Sequence, residues 1–244
     1  MDGDADIAAI ASLMGEPARA AVLMALLDGR ALAASTLAVE AGVTPSTLSG
    51  HLSRLVDGGL ISIERSGRYR YFRLVGAEVA EAAESLARIA PSRPIRSLRQ
   101  ATHAKSIRRA RTCYDHLAGH LGVTICEALV NNGVVEVAPG SNGATDPVVG
   151  AGRANQYSIT DGGEKWLDGF GVKREQSSRR PAVLYCLDWS EQLPHLGGWL
   201  GAALFDRFIS LGWLRKSERR VVEITSKGRA GLIEEFSLDM NLFD

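Results

Sequence analysis

The chain has 244 residues, 45% of them hydrophobic, enough for more than one packed core, and its 28 basic and 28 acidic side chains cancel, so affinity for a polyanion must come from local basic surface and not from bulk charge. Three cysteines, an odd count at no paired spacing, argue for a reducing compartment and against a disulfide scaffold. No apolar run approaches the roughly eighteen residues that span a bilayer, and the opening MDGDADIAAIASL is acidic where an export signal is basic, so the expectation is a cytoplasmic protein with no membrane contact.

In chain order, Pro17 opens a helix through Val22, Leu23, Leu26 and Leu27 to a stop at Asp28-Gly29, and a second helix over Ala33 to Ala41 leads into the tight turn Gly42-Val43-Thr44. Thr44 is a good N-cap and Pro45 suits the first helical position. From there Leu48, Leu52 and Leu55 recur at i, i+4 and i+7 and form a core stripe. The opposite face carries Ser46, Thr47, Ser49, Gly50, Ser53 and Arg54, with His51 at its flank; it is small and polar, with Asp57 its one acid. Such a face suits the major groove, where hydroxyls reach base edges or phosphates and a glycine admits close backbone approach.

Asp57-Gly58-Gly59 ends this helix, and an alternating strand from Leu60 turns at Ser66-Gly67 and returns through Arg68-Tyr69-Arg70-Tyr71-Phe72-Arg73-Leu74. Arg65, Arg68 and Arg70 crowd the tip, where phosphate or minor-groove contact is the natural use. The order helix, helix, turn, helix, hairpin predicts a winged helix-turn-helix over residues 1–92.

On the segments GEPARAAVLMALLDG, VTPSTLSGHLSRLVDGGLI and GRYRYFRL, the first ninety or so residues resemble the ArsR/SmtB family of winged-helix repressors. The resemblance implies a homodimer that binds an operator in double-stranded DNA and leaves it when an inducer, often a metal or metalloid, binds. The chain departs from the family at its usual inducer sites: the helix over Ala33 to Ala41 has no cysteine, and the helix over Ala77 to Ala90 has no histidine. Any sensing residues therefore lie in the remaining two thirds.

Pro91 and Pro94 mark a boundary, and residues 93–112 read as a basic linker helix, with Arg93, Arg96, Arg99, Lys105, Arg108, Arg109 and Arg111 and no acid among them. It is either a carrier of phosphate contacts or a solvated face between domains. Residues 113–244 hold an internal repeat: HLAGHLG at 116–122 answers HLGGWLG at 195–201, and Tyr157-Ser158-Ile159-Thr160 answers Val222-Glu223-Ile224-Thr225. Both copies read helix, glycine stop, strand, turn, strand, Thr-capped helix. The predicted fold is thus mainly α with small β wings, a winged helix-turn-helix followed by two degenerate winged-helix-like repeats that dimerise, sense, or both. The Gly-rich segment Pro139 to Arg153 reads as an extended wing.

One constellation in this half carries chemistry. Cys113, His116 and His120 fall at i, i+3 and i+7, read as one face of a helix, and Cys186 and His195 enter from the second copy, with His195 at the repeat position of His116. Packed about a pseudo-twofold, Cys113, His116, Cys186 and His195 would form a site for Zn or a softer metal. Against this, Cys113 also continues an apolar stripe with Ala110, Tyr114, Leu117 and Leu121, and the histidines can be caps preserved by duplication. Cys113 beside His116 also supports a redox reading. Trp189 and Trp199 flank His195 and would line any pocket for an organic effector. The reading is a sequence-specific DNA-binding transcriptional regulator, released by a metal or a redox change. Its alternatives are a winged-helix protein-interaction adaptor and an enzyme using Cys113 or Cys186 with a histidine base and Asp115 or Asp188.

Overall fold

The structure, a computed structural model, describes residues 3–91, 94–137, 157–173 and 180–243, in two compact units, Met1–Ile89 and Ala90–Asp244. The anticipated wing at Pro139 to Arg153 and the first basic residue of the linker, Arg93, lie outside the described residues.

In the first unit, helices α1 (Ile7–Gly15) and α2 (Pro17–Leu26) precede a short strand β1 (Leu32–Ala33), α3 (Ala34–Ala41), α4 (Pro45–Asp57), the hairpin β2 (Ile61–Ser66) and β3 (Tyr69–Leu74), and α5 (Ala77–Ile89). Local chemistry sets the boundaries. Glu16 caps α2 by accepting from the Arg19 amide with Pro17 at the first turn, and Thr44 Oγ1 accepts from the Thr47 amide at 3.2 Å. Gly42 closes α3 at φ +66°, a left-handed turn that swings the chain into α4. The three strands pair in the order β1-β3-β2, all antiparallel. Beneath them lie Val22, Leu23, Leu26, Leu37, Leu48, Leu52, Leu55, Ile61, Phe72 and Leu74, all buried. Each such aliphatic side chain contributes roughly 1.5–3 kcal/mol by leaving water.

Three details depart from the sequence expectation. Helix α1, capped by the Asp6 side chain, was not anticipated, because the acidic residues that start it were read only for their charge. Helix α3 starts at Ala34, one residue later than expected, since Ala33 pairs with Tyr71. The wing pairs Ser66 with Tyr69, so its two-residue loop is Gly67-Arg68 and not Ser66-Gly67; Gly67 takes φ +57° at the first loop position.

The second unit opens with α6 (Leu98–Arg109) and then repeats one order of elements. Hairpin β4 (Arg111–Cys113) and β5 (His116–Ala118), helix α7 (Gly119–Asn131), hairpin β6 (Val135–Val137) and β7 (Tyr157–Ile159), and helix α8 (Asp161–Phe170) come first. Hairpin β8 (Leu184–Leu187) and β9 (Pro194–Gly197), helix α9 (Gly198–Ser210), hairpin β10 (Leu214–Lys216) and β11 (Val222–Ile224), and helix α10 (Ser226–Phe236) follow, closed by a 3-10 turn at Met240–Phe243. Thr160 and Thr225 cap α8 and α10 alike, accepting from the amides of Gly163 and Gly228. Leu121, Ile125 and Leu129 of α7 and Leu200, Leu204, Phe205 and Phe208 of α9 share one core with Leu167, Phe170, Trp213 and Phe236.

Each half begins with a hairpin: in the first it replaces the helix that the spacing predicts, and in the second Cys186 lies in a strand, as the apolar run AVLYCLDW predicts. Cys113 and His116 do not share a helical face: they face each other across β4 and β5, joined by a two-residue turn in which Tyr114 sits at φ +58°. Helix α6 ends at Ala110, which is extended at φ −157°, because Arg111 and Thr112 pair along residues 220–222. In this extended conformation the fully buried Arg111 reaches Asp188, which a continuing helix would not provide.

Candidate DNA-reading face and Cys/His centre

On α4 the leucine stripe at 48, 52 and 55 is buried, while Thr44, Ser46, Thr47, Ser49, Gly50, Ser53 and Arg54 are exposed. A side chain built on Gly50 would meet nothing within 4 Å, so the glycine serves no internal packing and keeps the outer face low. His51, expected near flanking phosphates, is only partly exposed. Its Nδ1 lies 3.2 Å from Glu16 Oε2 and its side chain is 17% exposed, so it ties α4 to the start of α2. Burial opposes ionisation of Glu16, but the Arg19 and Ala18 amides together with the His51 and Arg19 charges prevail and hold the carboxyl below its ordinary range.

At the wing, Arg65, Arg68 and Arg70 are exposed. Arg68 donates to the Tyr69 hydroxyl at 3.0 Å and lies 5.1 Å from the ring centroid, which fixes its direction. Arg65 and Arg70 stand directly opposite each other in the ladder. Like charges in that position destabilise a bare hairpin, and an anion between them relieves the repulsion. Arg73 is engaged instead with Glu64 at 3.1 Å.

In the second unit the two hairpins that open the halves face each other. Each carries a cysteine directly opposite a histidine, Cys113 with His116 and Cys186 with His195. One ligand atom from each of the four lies within 4.8 Å of all the others, and the two Sγ atoms are 3.8 Å apart. Two thiolates about 2.3 Å from a tetrahedral Zn would stand about 3.8 Å apart, so the sulfur edge already fits. Cys113, His116 and His195 are buried and Cys186 is half-buried. His120, the fifth expected ligand, is not among them: it lies on α7, with Nδ1 3.2 Å from Glu191 and its ring against Phe243.

Each imidazole lies beside a carboxylate. His116 Nδ1 is hydrogen-bonded to Asp115 Oδ1 at 3.2 Å, and His195 Nδ1 lies 3.4 Å from Asp188 Oδ2; His116 Nε2 and both ring nitrogens of His195 are buried without a hydrogen-bond partner. For His116, an engaged Nδ1 with an orphaned Nε2 is the arrangement by which a carboxylate presents histidine to a metal. The carboxylates are themselves anchored. Asp115 accepts from both terminal nitrogens of Arg180, and the fully buried Asp188 accepts from the amides of Gly119 (2.7 Å), Ser190 (2.8 Å) and Glu191 (3.2 Å) and pairs with Arg111 at 2.9 Å. For Asp188, burial opposes ionisation but Arg111, His195 and the Gly119 amide prevail and hold the group well below the usual carboxylate range. Burial likewise works against charge on His116, yet the facing Cys113 thiolate and Asp115 carboxylate raise it to about 9. Helix glycines let the two halves close. Gly122 of α7 lies against the His195 Cβ and Gly201 of α9 against the His116 Cβ, where an added Cβ would strike the backbone of Leu117 or Leu196.

Asp115 and Asp188, which the sequence pairs with the histidines only in the enzyme alternative, recur in the same pattern: Cys-x-Asp occurs at 113–115 and again at 186–188. Cys126 is core, as expected; burial pushes its thiol up to about 12. Trp189 stacks on Arg111, 4.7 Å from the guanidinium carbon. The apolar cavity lined by Leu117, Ile125, Leu204 and Phe208 is about 20 Å³, space for one water.

Residues 14–64 match the helix-turn-helix domain family. The HTH-type transcriptional regulator YdfF of Bacillus subtilis (strain 168) is 36% identical over 227 residues, which cover 92% of this chain and 94% of YdfF. Among solved structures, NolR of Sinorhizobium fredii is 29% identical over 35% of this chain and 85% of its own, with a TM-score of 0.32. The cadmium metal-sensor CMTR of Mycobacterium tuberculosis is 29% identical over 38% of this chain and 99% of its own, with a TM-score of 0.30. With a relative matched along nearly its whole length and a winged helix-turn-helix unit in place, the chain belongs to the HTH-type, DNA-binding transcriptional regulators.

Proposed function

We propose that this regulator is a homodimeric repressor whose hold on its operator is set by a divalent transition metal bound at Cys113, His116, Cys186 and His195. The observation that carries this reading is the convergence of two sulfurs and two buried imidazole rings, one ligand atom of each within 4.8 Å of the others, with the Nε2 atom of each ring lacking a hydrogen-bond partner. A buried polar nitrogen without a partner is costly, and a metal ion removes that cost at both rings. Cysteine supplies thiolate and histidine neutral imidazole, a donor set suited to Zn or a softer relative. All four positions are protein ligands, so the centre is closed and suited to sensing or bracing. Ligands from both halves mean that metal ties β4 and β5 to β8 and β9.

In this reading Thr44, Ser46, Thr47, Ser49, Gly50, Ser53 and Arg54 face the major groove and Arg65, Arg68 and Arg70 reach phosphates at the wing. The homodimer is supported by apolar side chains left in water on α1 and α5, Ile7 at 75% and Ile89 at 76% exposure, which a second copy would cover. A redox reading of the same centre is favoured by the 3.8 Å between sulfurs. A hydroperoxide would oxidise one thiol to a sulfenic acid and leave as alcohol, and the second thiol would displace water to close a disulfide.

Metal content decides between them. Purified under reducing conditions, the chain is expected to hold about one Zn-like ion per copy, and Cys113→Ala to hold none. Wild-type protein free of metal, and unable to take up added Zn, would contradict the metal reading and leave the thiol pair as the sensor.

A further inference from the structure

We propose that α6 is a second DNA contact, through which the C-terminal unit grips phosphates of the duplex that α4 reads. This goes beyond the metal reading and does not depend on it. No residue of α6 is buried. Wound on a helix, Arg99, Thr102, Lys105, Ser106, Arg108 and Arg109 occupy about one half of the circumference, and Ala104 and Ile107 lie on the other. Arg96, Arg99, Lys105 and Arg108 are all exposed, and among the described residues none of the four side chains meets a carboxylate. Arg109, by contrast, is used internally, donating to the Phe243 carbonyl at 3.0 Å.

A solvated helix of ordinary composition offsets its cations with acids one turn away, and none occurs between Pro94 and Arg111. Three such cations on α6 and a fourth, Arg96, just before it, in a chain with no net charge, leave a local field that a polyanion would satisfy, and duplex DNA is the polyanion this protein binds. The hydroxyls are occupied: Thr102 donates to the Leu98 carbonyl and Ser106 to that of Thr102. The surface therefore offers charge without base-reading groups, which makes its contact one of affinity and not of sequence.

The same helix abuts the Cys/His centre. A Cβ at Gly119 would lie 2.6 Å from the Arg108 carbonyl oxygen, and the Gly119 amide donates to Asp188, which also holds Arg111 and faces His195. The last turn of the basic helix thus rests on the scaffold that orients one histidine.

The test uses full-length protein and a duplex selected from a random pool. Arg99→Gln, Lys105→Gln and Arg108→Gln combined keep good helix formers at exposed positions. The slope of log affinity against log salt is expected to shallow by about 1 to 2.7, the loss of one to three phosphate contacts at roughly 0.9 each, with the preferred sequence unchanged. As a measurement on the unmodified chain, acylation of Lys105 is expected to slow severalfold when the duplex is added. An unchanged slope, or Lys105 acylated equally fast with and without duplex, would overturn the proposal and mark α6 as a solvated face or a site for another partner. Wild-type protein that fails to bind any duplex would instead refute the winged-helix reading, so the two failures are distinct.

Discussion

Asp188 is the residue on which most of the second unit's polar interior converges. Its fully buried carboxylate accepts from the Gly119, Ser190 and Glu191 amides, pairs with the Arg111 guanidinium and lies 3.4 Å from His195 Nδ1. Removing the charge leaves Arg111 buried without its counter-ion, so Asp188→Asn is expected to lower unfolding free energy by about 3–5 kcal/mol in denaturant titrations. Metal affinity should fall about 10–100-fold as His195 loses its orienting partner. An Asn variant matching wild type in both would show that the network does not act on the centre. Cys126 gives the contrasting case. With its thiol near 12 against roughly 8.5 in an unfolded chain, the folded state holds its proton longer, so this residue's contribution is complete below about pH 8.5 and is lost as pH rises toward 12. Native protein at neutral pH is therefore expected to leave Cys126 unlabelled by iodoacetamide, checked by peptide mass; rapid labelling would place it outside the core.

At the level of elements, α4 and the wing separate two kinds of contact. Ser49 is an exposed hydroxyl on the helix face, and Arg68 is a cation held over Tyr69 at the hairpin tip. Ser49→Ala is expected to change base preference in a random-duplex selection, whereas Arg68→Ala weakens binding to all sequences and shallows the salt dependence by about 0.9. Equal, sequence-independent losses in both would assign the helix to phosphate contact alone. This unit was legible in the sequence because its signals are local: Thr44-Pro45, the leucine spacing of α4, the glycines after Asp57 and the alternation of the wing each decide a boundary within a few residues. The Cys/His hairpins were less legible. Cys113 to His120 keeps a helical apolar spacing, and what overrides it is tertiary: residues 111 and 112 pair with 220–222 and Arg111 seeks an acid 77 positions away. The four converging residues are legible in the matched positions of His116 and His195 and in Cys186 within an apolar run, but helical spacing also brings in His120, which the hairpin at 111–118 separates from them.

For the whole molecule, the proposed division of labour is between a unit that carries the candidate reading face and a unit that carries the Cys/His cluster, with α6 at the start of the second. A ligand shifts such a regulator only by the difference in its affinity for the DNA-bound and free states, commonly 5–150-fold. The centre cross-links two hairpins, so metal is expected to stabilise the second unit whatever its effect on DNA; the effect on DNA is the regulatory claim. The most direct test is operator affinity of full-length protein, metal-free and Zn-loaded, beside the Cys113→Ala and Cys186→Ala variants. The account predicts that Zn weakens wild-type binding by about tenfold or more and leaves both variants unchanged; equal affinity of the metal-free and loaded wild type would contradict it.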